Sequence, residues 1–203
     1  MYMIDKMRKQ LKYLISIFFT TTHTTNKNSE NYDLIRSILC AGLYPNIARI
    51  HLSYKNSSKR PIILETKFDH RVLLHPRSVN SKLRDNDIRT SKTPSIYVIY
   101  HEKVRTNATY IHDASLISPY ALLFFGKSIQ TKDGVLIDDW INININHKSF
   151  KIVDELKIKF DYLLEQKASK KSIQLDYEHQ LIDTIIQIIT KQDRNIGIVE
   201  QKE

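Results

Sequence analysis

The stretch Ile96-Tyr-Val-Ile-Tyr-His-Glu-Lys-Val104 is the longest strand candidate in the chain. Side chains alternate between the two faces of a strand, so one face here is apolar and the other is mixed and includes two cations. Glu102 falls on the apolar face, which predicts a strand end, a bulge or a partner at this point. The mixed face comprises Tyr97, Ile99, His101, Lys103 and Arg105.

Several shorter segments on either side have the period of a strand or the turn chemistry of a hairpin. They are Ala48–Tyr54, Pro61–Phe68 and Arg71–Leu74 around a turn at Asp69-His70, Thr109–His112, the turn Gln130–Gly134, and Trp140–Asn146. A short helix interrupts them, because Ser118 can cap its first turn and Gly126 can end it. Regularly spaced short strands with one small helix predict a small β-barrel.

Helices are predicted at both ends of the chain. An apolar stripe formed by Met3, Met7, Leu11, Leu14 and Phe18 predicts a helix over residues 2–19, and a second helix begins near Asp33 and can end at Gly42. Two more apolar stripes follow the strands: Ile152, Val153, Leu156, Phe160, Leu163 and Leu164, and then Leu181, Ile182, Ile185, Ile186 and Ile189. The predicted fold class is therefore α+β: a small OB-fold β-barrel flanked by N- and C-terminal helices.

The composition excludes several classes of protein. Among 203 residues, 31 Lys and Arg stand against 22 Asp and Glu, and the resulting net charge of +9 favours a polyanionic partner such as nucleic acid. The four glycines form neither G-x-x-x-x-G-K-[ST] nor G-x-G-x-x-G, so the sequence holds no complete P-loop ATPase. The apolar run Tyr13–Phe19 is too short for a membrane span, which needs about 20 residues, and has no signal cleavage site. We expect an intracellular protein, in the nucleus, the cytoplasm or both.

A series of ordered motifs resembles the C-terminal accessory domain of DEAH/RHA-type ATP-dependent RNA helicases. The motifs are Leu34–Ile50, His75-Pro-Arg-Ser-Val-Asn80, Tyr100-His-Glu-Lys-Val-Arg-Thr106, Ser118-Pro-Tyr-Ala-Leu-Leu-Phe-Phe-Gly126, Ile137-Asp-Asp-Trp-Ile141 and the closing helix Leu156–Lys167. Ser118–Gly126 and the closing helix with its tail resemble the G-quadruplex-resolving members of the family. Lys127 departs from the pattern, since many members carry a second glycine there.

The resemblance implies a division of the chain into four parts. Residues 1–25 are the end of a helical bundle, 26–33 a linker, 34–167 the OB-fold domain with its closing helix, and 168–203 a C-terminal helical tail. It further implies binding to single-stranded RNA, with G-quadruplex nucleic acid and helicase motor domains as further partners and no membrane partner. No cofactor is expected in this chain, because ATP and magnesium would bind motor domains absent from this sequence. The chain is therefore expected to be non-catalytic.

The candidate RNA-binding residues fall into three groups. Lys103, Arg105, His101 and Tyr97 combine cations with rings that can stack on bases, and the alternative is a solvated strand face. Polar groups after a proline form the second group, and the alternative there is a turn in which they satisfy local backbone groups. This group is Arg77, Ser78 and Asn80, and Lys127 is a further single cation.

Other reactive or aromatic residues are interpreted as structural. Trp140 and Tyr120–Phe125 are expected in the core, Cys40 as a buried inert thiol, and Asp138-Asp139 as no acid–base pair. The eight histidines lack metal-ligand spacing. The alternative function is a protein-interaction module, in which the apolar stripes of the first helix and the two C-terminal helices dock on motor domains or a cofactor protein.

Overall fold

The computed structural model describes residues 2–18, 27–52, 61–90, 96–131, 134–169 and 175–190. The helices are α1 (Tyr2–Phe18), α2 (Tyr32–Leu43), α3 (Asp85–Thr90), α4 (Pro119–Phe125), α5 (His147–Ala168) and α6 (Leu175–Thr190), and a 3-10 turn covers Val79–Lys82. The strands are β1 (Ile47–His51), β2 (Ile63–Glu65), β3 (Val72–Leu74), β4 (Tyr97–Ile99), β5 (Glu102–Arg105), β6 (Thr109–His112), β7 (Ser115–Ile117), β8 (Ser128–Thr131), β9 (Gly134–Ile137) and β10 (Ile141–Ile143).

The larger sheet has the order β5-β6-β3-β2-β1-β4-β7 and curls on itself. Only Tyr100 and His101 separate β4 from β5, although these strands lie near opposite ends of the sheet. The Tyr100 N–H donates to Asn46 O at 3.1 Å, and the His101 N–H donates to His112 O at 3.3 Å. The chain therefore turns from one end of the sheet to the other at these two residues, which brings the ends together as in a barrel.

This bend corrects the prediction of one continuous strand over residues 96–104. Tyr97 lies opposite Arg49 in β1, whereas Lys103 lies opposite Ile111 in β6. The register across the sheet places Lys103 and Arg105 on the face of the buried Ile111, and not on the face of Tyr97. The inconsistency at Glu102 is resolved as expected, because a new strand begins there.

The helix between the barrel strands follows its sequence signals closely. The Ser118 Oγ accepts the Tyr120 N–H at 3.1 Å, Pro119 takes the first turn, and Gly126 forms the C-cap. A Cβ at Gly126 would lie 2.5 Å from Leu122 O and 2.8 Å from Ile137 Cγ2. The close approach of α4 to β9 therefore depends on glycine at this position.

Other predicted elements are confirmed, some with different bounds, and two short elements were missed. The helix predicted over residues 2–19 is confirmed over Tyr2–Phe18, with residue 19 outside the described residues, and the strand at Thr109–His112 is confirmed. The predictions missed β7 and α3. The predicted strand residue Tyr54 lies outside the described residues.

The helices after the barrel pack against it and against each other. α6 contacts α2, α4 and α5, and its stripe residues Leu181, Ile185 and Ile189 are buried. The proposal that the stripe of α6 is free to dock on a partner is therefore wrong. The α1 stripe is different, since Met3, Met7, Leu11 and Leu14 are all exposed. Among the described residues, no helix is both long enough and apolar enough to cross a bilayer.

Candidate nucleic-acid interface

A groove of about 580 Å³ opens between the turn after β2 and the start of β5. We call it the hairpin groove, and its wall includes Lys67, Phe68, Tyr100, His101, Lys103 and Trp140. It combines two ammonium groups and four aromatic rings with the carboxylates of Glu102 and Asp138. Cations and rings that can contact bases are the chemistry used to hold single-stranded nucleic acid.

A second groove, of about 700 Å³, lies between α2 and the loop after β3. We call it the loop groove, and its wall includes Ile38, Leu39, Leu43, Arg77, Ser78 and His101. His101 lines both grooves, so the two adjoin at the bend of the barrel. Four of the predicted site residues line this pair of grooves: Arg77, Ser78, His101 and Lys103.

Lys103 forms an ion pair with Asp69 in the turn after β2. The Lys103 Nζ donates to Asp69 Oδ2 at 2.5 Å, and the Lys103 side chain is 29% exposed. The hydrogen bond from Lys103 is the main cause that lowers the pKa of Asp69, and the charge of Arg105 adds to it. Lys103 is therefore paired rather than free, and both cations share a face with the core residue Ile111 instead of with Tyr97.

The turn Thr66–His70 carries two residues that the sequence analysis did not select. The Thr66 N–H donates to Asp69 O at 2.8 Å and the Asp69 N–H donates to Thr66 Oγ1 at 3.2 Å, which closes the turn. Lys67 Nζ donates to Asp138 O at 2.9 Å, and Phe68 is 82% exposed. The sequence signal for these residues is the phenylalanine beside a lysine, next to the expected hairpin turn. The sequence analysis placed both in the strand predicted over Pro61–Phe68, but that strand ends at Glu65.

The loop after β3 is held by its own polar groups. The Arg77 N–H donates to His75 Nδ1 at 3.3 Å, and the Ser78 Oγ accepts the Asn80 N–H at 3.3 Å. The Asn80 side-chain amide donates to Ala114 O at 2.6 Å. Ser78 thus serves the turn, as the alternative interpretation expected, whereas the Asn80 side chain ties the loop to Ala114, 34 positions later in the chain. The Arg77 guanidinium is exposed and makes no ion pair within the described ranges.

Tyr97 does not lie in the interface. Its side chain is 1% exposed, and burial raises the pKa of its phenol to about 12. The prediction that it offers a stacking surface is wrong, because the bend after β4 inverts the faces and both faces are covered at this strand.

Lys127 stands beside a polar cluster outside both grooves. Its side chain is exposed, and its N–H donates to the Tyr44 hydroxyl at 2.8 Å. That hydroxyl donates to the Asp138 carboxylate, and burial together with this bond raises the pKa of Tyr44 to about 12. Asp138 and Asp139 both have positive φ, 51° and 65°, at the turn between β9 and β10. The arrangement ties α2 to that turn.

The remaining candidate groups are structural. Cys40 is fully buried, and burial raises the pKa of its thiol to about 12, which keeps it protonated and unreactive. Ala121, Leu122, Leu123 and Phe124 of α4 are buried, which confirms their core assignment. Trp140 is only partly buried and lines the hairpin groove. The part of the chain that the structure describes holds no group of three or more His, Cys, Asp or Glu placed to bind a metal.

Comparison with known proteins agrees with this geometry. Residues 35–129 match the family model of the oligonucleotide/oligosaccharide-binding (OB)-fold. The chain is 32% identical over 176 residues to the ATP-dependent DNA/RNA helicase DHX36 of Homo sapiens, which covers 81% of this chain and 17% of that protein. The chain carries the OB-fold region of the DEAH-box helicases.

Two further relatives are also helicases of which the chain matches a small part. The chain is 28% identical over 199 residues to the DExH-box ATP-dependent RNA helicase DExH1 of Arabidopsis thaliana, and this match covers 94% of the chain and 19% of the relative. The chain is 32% identical over 195 residues to the putative ATP-dependent RNA helicase DHX57 of Homo sapiens, and this match covers 85% of the chain and 14% of the relative. The chain thus spans less than a fifth of each of these relatives. The eight predicted site residues all lie within the matched OB-fold.

Proposed function

We propose that this OB-fold region binds single-stranded nucleic acid along the hairpin and loop grooves, as the non-catalytic accessory region of an ATP-dependent RNA helicase. The observation that carries the proposal is the convergence of Arg77, Ser78, His101 and Lys103 on two grooves that adjoin at His101. The pair Arg77 and Ser78 and the pair His101 and Lys103 come from separate segments of the sequence, and the folded barrel brings them to one surface.

The cations have unequal roles in this proposal. Arg77 and Lys127 have no acidic partner among the described residues, and Arg105 lies on β5 close enough to Asp69 to lower its pKa. Arg77 captures a phosphate within the loop groove, and Arg105 and Lys127, which line neither groove, capture phosphates where the strand runs beyond the grooves. Lys103 contacts a phosphate only if its ammonium group bonds to Asp69 and the phosphate together, or if its bond to Asp69 breaks.

The salt dependence of RNA binding tests this assignment. Each phosphate contact to a single strand contributes about −0.7 to the slope of log affinity against log salt. Three contacts give a slope of about −2, and a full contact from Lys103 moves it to about −3. Fluorescence anisotropy with a labelled oligouridylate at a series of salt concentrations measures the slope. Affinity independent of salt contradicts the proposal.

Substitution of two of these three cations tests the location of the bound strand. Arg77→Ala with Arg105→Ala should flatten the slope by about 1.4, because two contacts are lost. The matched control is Lys151→Ala with Lys159→Ala, which removes two exposed lysines of α5 outside both grooves. Equal losses in the two pairs would mean that net charge, and not the grooves, attracts the RNA.

In a whole helicase, this region would hold the strand while motor domains elsewhere bind ATP and magnesium and move along it. A preference for G-quadruplex nucleic acid is the finer expectation of the family resemblance. Competition between a labelled oligouridylate and an unlabelled G-quadruplex of equal length tests it. Equal competition by a scrambled strand would argue against a quadruplex preference.

A second candidate function, protein interaction, is supported by one observation. Four residues of the apolar stripe of α1, Met3, Met7, Leu11 and Leu14, are exposed, and Leu11 is 59% exposed. Its occupant in this proposal is the remainder of the helicase. Leu11→Asp should abolish binding to the helicase core of one of the relatives and leave RNA affinity unchanged. Unchanged binding to the core would exclude α1 as the contact.

A further inference from the structure

The exposed ring of Phe68 stands on an unusually well braced turn. A single exposed apolar side chain is common on protein surfaces and by itself carries no meaning. Phe68 differs because its turn is closed by the two Thr66–Asp69 hydrogen bonds and is also tied to two other parts of the barrel.

The two ties come from opposite sides of the turn. Asp69 is bound by Lys103 of β5, and Lys67 donates to Asp138 O in the turn between β9 and β10. The residues on either side of Phe68 are thus both anchored, while the ring between them remains 82% exposed. The backbone is ordered before any ligand arrives, so little entropy is lost when the ring makes a contact.

The position of the ring selects the kind of contact. Phe68 lines the hairpin groove together with the rings of Tyr100 and Trp140 and the cations Lys67 and Lys103. A rigid exposed ring beside cations suits an unstacked base whose phosphates lie along the charged groups. We infer that Phe68 is a base-stacking platform of the nucleic-acid interface, and that the Lys103–Asp69 pair positions it. This inference rests on the proposed function.

Three ligands of equal length separate stacking from charge: oligoadenylate, oligouridylate and an abasic sugar-phosphate strand. Phe68→Ala should weaken binding of the two base-bearing strands by about 5- to 150-fold, which is the range for loss of one base–aromatic stack. The affinity for the abasic strand should stay unchanged. The matched control is Tyr162→Ala, which removes an exposed ring of α5 outside the grooves.

A fluorescent variant gives a second readout that does not depend on loss of affinity. Phe68→Trp in a Trp140→Phe background places the sole tryptophan on the turn. Base-bearing strands should quench its emission through stacking, and the abasic strand should not. Asp69→Asn in the same background should reduce the quenching at saturation, because the turn loses its tie to Lys103.

The outcomes separate failure of this inference from failure of the proposed function. If the unmodified chain binds none of the three strands, the proposed function is wrong. If it binds them and Phe68→Ala affects all three equally or not at all, the stacking role is wrong and the ring faces another partner, such as an apolar side chain of a protein. Quenching by the abasic strand would also overturn the inference.

Discussion

The helix-covered side of the barrel and the edge formed by β5 use side chains in opposite ways. On the helical side, Cys40, Leu122 and Ile185 are buried between α2, α4 and α6. At the β5 edge, the equivalent inward face carries Lys103 and Arg105, and a braced turn exposes Phe68. The first region holds the fold together by apolar burial, whereas the second keeps charges and a ring at the surface.

Folding stability and nucleic-acid recognition therefore depend on different parts of the molecule. A substitution on the helical side should change the free energy of unfolding and leave nucleic-acid affinity of the folded protein intact. A substitution at the β5 edge should do the reverse. Each prediction below tests that separation with a smaller expected effect than the one before.

The largest change in the free energy of unfolding is expected from Ile185→Ala in α6. Ile185 is 5% exposed, and truncation of a buried isoleucine costs about 2–5 kcal/mol through lost burial and the cavity that remains. Urea unfolding followed by circular dichroism measures the change. Ile152→Ala, on the exposed side of α5, is the control and should cost less than about 0.5 kcal/mol. A similar cost for both variants would break the comparison.

A smaller loss of folding stability is expected from Tyr44→Phe, at the boundary between the two regions. The substitution removes the bond to Asp138 and leaves the Lys127 N–H without its acceptor, at a cost of about 1–2 kcal/mol. Thermal unfolding measures it, with Tyr162→Phe on exposed α5 as the control. A stability equal to that of the unmodified chain would show that water replaces these bonds at no cost.

Asp69→Asn should change binding more than stability. It frees Lys103 for phosphate, so the salt slope for the abasic strand should steepen by about 0.7, while an exposed pair contributes no more than about 1 kcal/mol. Asp161→Asn also removes one negative charge, from the exposed side of α5 outside both grooves, and leaves the Lys103–Asp69 pair intact, so it serves as the control. Equal steepening in both variants would assign the effect to net charge.

The smallest effect is a loss of stability in acid. Lys103 lowers the pKa of Asp69; burial alone would raise the pKa of Glu65, but the bonds from Arg49 and His70 outweigh it and lower that pKa too. In the unfolded chain these two carboxyls bind protons at higher pH than they do in the folded protein. Protonation therefore favours the unfolded state as pH falls below about 4. Their contribution is complete above that range and is lost as pH falls through the lowered values.

Urea unfolding at pH 6 and pH 3 checks this prediction. The unmodified chain should lose more stability between the two pH values than a variant with Asp69→Asn and Glu65→Gln. An identical loss would show that neither pair contributes to folding.

Local signals in the sequence were enough for the elements that depend on local chemistry. The cap at Ser118, the stop at Gly126 and the strand Thr109–His112 are confirmed, because each is set by residues within a few positions. The barrel and its flanking helices followed from the spacing of such elements and from the resemblance of their ordered motifs.

The interface was less predictable because it depends on long-range geometry. Alternation alone placed Tyr97 with Lys103, but the bend at Tyr100 and His101 inverts the faces, and no local pattern marks it apart from Glu102. The Lys103–Asp69 pair joins residues 34 positions apart, so no periodicity reveals it. Phe68 was assigned to a strand because its apolar character fits one.

One pairing in the sheet bears on how the chain is made. β3 and β6 are the parallel pair, with Leu73 opposite Tyr110, 37 positions later in the chain. A ribosome adding about 5–20 residues per second needs about 2–7 s to supply that partner. During this interval the β1–β2–β3 meander presents the open edge of Val72–Leu74. An edge left open for that interval can pair with another strand, so slower synthesis over residues 75–110 lengthens the exposure of this edge.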